Sequence, residues 1–134
     1  MRLPDWEGRL GELVGSSLYK PFEWGKFDCC TFAADAVVAV RGDDPLKDIR
    51  GSYGSLKSAW RLLSELGGLK VAVTKAMGPP MMHKSLAQRG DIVLVESDKY
   101  PALAVVVGWA ALAPLVTGVQ RVPARDWIEA WRVD

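Results

Sequence analysis

The chain has 134 residues, 49% hydrophobic and 25% charged, with 17 basic and 16 acidic side chains for a net charge of +1. These values suit a single folded domain over residues 1–134 and exclude a mainly disordered chain. A balance so near neutrality gives no electrostatic ground for nucleic acid or an anionic membrane surface as a partner.

In chain order, Asp5 is placed to cap a first helix through about Val14, with Trp6, Leu10 and Leu13 or Val14 on one face. "GSSLYKPFEWG" reads as a loop from its Gly, Ser and Pro content. The clearest helix follows. Cys29, Phe32, Ala33, Ala36, Val37 and Val40 recur at helical spacing, while Thr31, Asp35 and Arg41 fall elsewhere. Asp28 is its expected N-cap and Gly42 its stop. "RGDDPLKDIRGSYG" is a polar loop, whose Asp43 and Asp44 are expected to form turns rather than hold a cation. Ser55 starts a third helix carrying Leu56, Ala59, Trp60, Leu63 and Leu66, and Gly67–Gly68 ends it. "LKVAV" reads as a short strand, with a helical extension as the alternative, and "MGPPMMHKSLAQRG" as a connector. Then come five β segments: "DIVLVES", "ALAVVVG", "WAALAP", "VQRVP" and "IEAWRV". In "QRGDIV", Asp91 is expected to bond backbone N–H groups at the turn into the first strand. Helices first and clustered strands second predict an α+β domain, with the second helix packed on a small antiparallel sheet.

"YPALAVVVGWAALAPLV" is the longest weakly polar run, and Gly108, Pro101 and Pro114 make it two buried strands rather than a membrane span. "MRLPDWEGRL" lacks the apolar stretch of a secretory signal, so export by that route is not expected. Six tryptophans are many for this length, and several are expected at the core margin or at an interface.

Only two cysteines are present, and they are adjacent, Cys29 and Cys30. That excludes a disulfide framework, and equally a four-thiolate zinc or iron–sulfur site within the chain. No phosphate loop or zinc-ligand spacing appears, and neither a metal nor a cofactor is expected. A helix N-terminus favours a thiolate through its free N–H groups and aligned peptide dipoles. Cys29 is the first helical residue on the apolar face, so it is the thiol placed for chemistry against a sheet. Cys30 is rotated about 100° away. Three readings stand beside each other: a nucleophile, small buried packing residues, and ligands completed by another chain.

"PFEWGKFDCCTFAADAVVAVRGDDP" followed by "RGSYGSLKSAWRLLSELGG" resembles the amino-terminal half of a family of small tailed-bacteriophage proteins. These are distant members of the NlpC-type, papain-like cysteine peptidase superfamily. "AQRGDIVLVE", "ALAVVVGWAALAP" and "WIEAWRV" resemble the strand half, so the similarity runs from about Trp6 to Val133. The resemblance implies an NlpC-type fold, Cys29 at the nucleophile position and Asp28 as the acidic residue before it. It also implies a phage-tail protein, assembled in a bacterial cytoplasm, with other tail-tip or baseplate proteins and bacterial peptidoglycan as partners.

Such a peptidase needs a base for the thiol, normally a histidine held by a third polar group. In the family that histidine opens the strand reading "ALAVVVG" here, where the position falls on Ala102 or Ala104. The next segment, "WAALAPLV", offers no polar residue to orient a base. The single histidine, His83, lies in the connector and could serve only if that connector folded over the Cys29 end of the helix. The expectation is therefore a tail-tip structural or assembly component with a degenerate peptidase site. The alternative is an active cysteine peptidase or amidase cutting peptidoglycan during DNA entry.

Overall fold

A computed structural model describes residues 1–97 and 100–134. Four helices precede five strands: α1 Trp6–Ser17, α2 Cys29–Arg41, α3 Leu56–Glu65, α4 Leu69–Met77, then β1 Ile92–Glu96, β2 Pro101–Val106, β3 Ala110–Leu115, β4 Gly118–Pro123 and β5 Trp127–Trp131. Short 3-10 turns at Lys84–Leu86 and Ala124–Asp126 join α4 to β1 and β4 to β5. The strands form one antiparallel sheet in the order β4-β3-β2-β1-β5, so the expected α+β architecture is present.

Two readings of the sequence need correction. "LKVAV" is helical: it opens α4, because the left-handed Gly67 and Gly68 (φ 93° and 101°) end α3 and start a new helix at once. Thr31 is buried, not off the apolar side. Its hydroxyl accepts from the Asp28 amide (2.8 Å) while the Asp28 carboxylate accepts from the Thr31 amide (2.8 Å). This reciprocal capping box satisfies donors that the helix start leaves free. At the other end Gly42 takes φ 95° and its N–H bonds Val38, so α2 stops where a left-handed residue is cheap. α1 also continues a turn beyond Val14, to Ser17.

The sheet is buried on both faces. Ile92, Leu94, Leu103 and Val105 meet Phe32, Ala33, Ala36 and Val37 of α2 on one side. Val93, Val95, Ala102, Ala104, Ala111, Ala113 and Trp127 form a second core on the other. Curvature makes that second core possible. In a flat sheet β4 and β5 would lie four strand spacings apart, roughly 19 Å. The link from Pro123 to Trp127 can span at most about 14 Å. The sheet therefore curves enough to bring the end of β4 near the start of β5, where the Trp127 indole N–H donates to the Val122 carbonyl (3.1 Å). The alanines on the inner face leave room for this curvature.

Asp91 behaves as the turn residue expected, and does more. Its buried carboxylate accepts from the Gln88 amide (2.8 Å), the Val133 amide (3.0 Å) and the Arg2 guanidinium (3.0 Å). Arg2 also donates to the Val133 and Arg89 carbonyls and stacks over Trp6 at 4.3 Å. The tryptophans divide: Trp127 and Trp131 are core, Trp60 and Trp109 are exposed. No helix among the described residues is long and apolar enough to cross a membrane.

Candidate functional site

The site grows from the stretch Trp24–Cys30. Gly25 adopts φ 81°, and a Cβ there would lie 2.2 Å from the Tyr53 carbonyl oxygen. Only glycine lets the two loops touch so closely. The contact brings Tyr53 over the start of α2, where its hydroxyl donates to the Asp28 carboxylate (2.7 Å). The same oxygen accepts from the Gly25 amide (2.8 Å). Asp28 is thus saturated: it ties the preceding turn, the loop before α3 and the first turn of α2 into one unit.

Cys29 and Cys30 follow directly, both half-buried and free, with sulfurs 4.0 Å apart. β2 pairs with β3 only at Val105 and Val106, leaving the earlier part of the strand open on that side. There Cys29 and Leu103 lie along the same opening. Cys29 consequently packs against both cores. The Cys30 thiol, donating to Cys29, does most to hold the Cys29 thiol below its ordinary range, helped by the Leu103 and Cys29 amides; burial and the Asp28 charge oppose them. Cys30 is driven the other way, well upward, by that same hydrogen bond, by burial and by the charges beside it. Tyr53 is pushed up chiefly by burial and then by the Asp28 charge. Tyr100 is raised by burial and by Cys29 and Asp28. The pair therefore contains one thiol disposed to ionise and one disposed to stay protonated.

Both cysteines line a cleft of about 510 Å³. Its floor is α2 and the start of β2, its far wall the inner side of α3 and α4, and Trp24, Tyr53 and Tyr100 stand near the thiols. The lining is mostly aliphatic. Of α3 only Ala59 is buried, so Trp60 and Leu63 face this space rather than filling a core.

The other residues singled out from sequence are placed elsewhere. His83 is exposed at the head of the 3-10 turn Lys84–Leu86 and does not line the cleft. Its connector is held against β5, with the Met81 amide on the Ala130 carbonyl (2.7 Å) and the Lys84 ammonium on the Trp127 carbonyl. Ala102 and Ala104 are fully buried in the inner core of the sheet. Asp43 and Asp44 are paired with Arg41 and Arg50, and Arg50 also holds Asp35. Among the described residues no group of three or more His, Cys, Asp or Glu side chains is placed to hold a metal ion. Sequence reasoning missed Tyr53, Tyr100 and Trp24. The closeness of Gly25 to Asp28 was a usable sign for the turn, but nothing local marks Tyr53 as its partner.

Comparison with known proteins bears on the whole chain. The model of the family described as "Domain of unknown function (DUF6950)" matches residues 1–133. The chain belongs to that family. No curated protein matches it. The match takes in the Gly25–Asp28–Tyr53 unit, the thiol pair and every strand, so this family's domain includes both walls of the cleft.

Proposed function

We propose that this chain is a structural or assembly component of a bacteriophage tail tip or baseplate. It would use an NlpC-type, papain-like scaffold whose hydrolytic machinery is incomplete. The scaffold part of this reading is supported by a cysteine at the start of a helix that packs on an antiparallel sheet. The phage-tail part rests on the ordered resemblance of segments between Trp6 and Val133.

One observation carries the loss of hydrolysis. Where a base would have to face Cys29, the start of β2 offers only the aliphatic side chains of Ala102, Leu103 and Ala104. None of these can take a proton. Amide cleavage also needs a proton delivered to the leaving amine. The groups near the sulfur that carry a proton, Tyr53, Tyr100 and Cys30, all have their pKa raised, which makes each a weaker proton donor. Deleting the gene and imaging particles tests the role: defective or absent tail tips are expected. Normal tails with full infectivity would overturn it.

A second reading, an active peptidase or amidase on peptidoglycan, is favoured by the lowered Cys29 thiol. Zymography of the wild type against Cys29→Ala separates the two. A clearing zone that disappears with the substitution would establish hydrolysis, and no clearing in either is expected here.

A further inference from the structure

The cleft is larger and more aliphatic than a vestigial thiol requires, and its shape is specific. It follows α2 from Cys29 and Cys30 as far as Val37, eight residues or about 12 Å of helix. Across from them stand Leu63, Val73 and Met77. Its volume falls in the range of small-molecule sites, about 300–1,000 Å³. Asp28, Tyr53 and Tyr100 lie at the cysteine end, while Asp48, Ser64 and Lys75 are the polar residues elsewhere along the lining. A long apolar slot ending at two thiols fits an aliphatic chain with a reactive carbon at its head.

We propose that the cleft binds an acyl chain and that Cys29 accepts that chain from an activated acyl thioester, holding it as a stable protein thioester. The Cys29 thiolate attacks the thioester carbonyl carbon. A carbon–sulfur bond to Cys29 forms as the bond to the donor sulfur breaks, and the donor leaves as a thiolate that takes a proton from water. Nothing is oxidised or reduced. The absence of a base does not stand in the way: a thiolate leaving group needs no proton, whereas an amine does. The same absence makes the product durable, because no group in the cleft activates water against it. The proposal relies on the non-hydrolytic reading only for that durability, and it is independent of any role in a phage tail.

The test is intact-mass spectrometry of the purified full chain with decanoyl-coenzyme A and, separately, acetyl-coenzyme A. One decanoyl adduct, labile to hydroxylamine, is expected on the native protein and not on Cys29→Ala. Decanoyl transfer should outrun acetyl transfer by about tenfold or more, since the chain's burial supplies the preference. Ala72→Trp, on the α4 wall, should bring the decanoyl rate down toward the acetyl rate. Circular dichroism checks that it folds, and Leu63→Asp serves as the second variant. Equal rates for the two donors, or an adduct that persists in Cys29→Ala, would overturn the proposal. Continuous release of coenzyme A without an accumulating adduct would overturn the stable thioester together with the non-hydrolytic reading, whereas neither adduct nor release would overturn the proposal alone.

Discussion

Gly25 and Asp28, three residues apart, show how a short spacing encodes a tertiary contact. The carboxylate accepts from Gly25 and Thr31 amides and from the Tyr53 hydroxyl, each near 2.8 Å. Asp28→Ala removes an N-cap, worth about 0.5–2 kcal/mol, and leaves the Tyr53 hydroxyl without its acceptor, a further cost of about 1 kcal/mol. A loss of about 1.5–3 kcal/mol in urea denaturation is expected. Gly25→Ala should cost at least as much, because the added methyl group meets backbone, which cannot rotate aside. The thiols give a sharper test. Iodoacetamide labelling of Cys29 should rise with pH about a midpoint below the free-thiol value of about 8.5. Cys30→Ala deletes the donor that favours the thiolate, so the midpoint should move upward. An unmoved midpoint would mean that Cys30 does not supply the effect. Cys29→Ala itself should cost only about 1 kcal/mol, as a small truncation at the core margin.

The helices differ in how firmly they are held. α2 buries eight of its residues against α1 and the sheet, whereas α3 buries only Ala59 and α4 only Leu69 and Val73. Native-state hydrogen exchange should therefore find the α3 and α4 amides opening well before those of α2, β1 and β2. Uniform protection across all four helices would contradict this. The same contrast explains what was readable in advance. α2 announced itself through Asp28, Gly42 and an unbroken apolar spacing, and the five strands through short, mostly apolar runs between turns. "LKVAV" misled because five residues of mixed apolar character fit either period, and the decision came from Gly67 and Gly68. Thr31 was misplaced because its burial is a capping contact, which side-chain periodicity does not report. The cleft was invisible, since it exists only in the distance between α3–α4 and α2, and that distance leaves no local pattern. The thiol pair was legible as two residues, but its asymmetry needed the open stretch of β2 beside it.

Taken together, the molecule is a curved five-stranded sheet with α2 packed on one face and Trp127 in the core of the other. Its least replaceable charge is Asp91. The carboxylate is buried and meets Arg2, Gln88 and Val133 together. Asp91→Ala would leave the Val133 and Gln88 amides unsatisfied and Arg2 without its counter-charge, at about 3–5 kcal/mol. A melting temperature close to the native one would show that the cluster is dispensable. The cluster has a geometric corollary. Because Arg2 reaches the Val133 carbonyl at 2.9 Å, the beginning and the end of this fold sit side by side. Any polypeptide attached before it departs from the same spot as any attached after it. A short tether could therefore join the two ends and new ones be opened in the exposed Val116–Thr117 turn between β3 and β4, away from the residues that line the cleft.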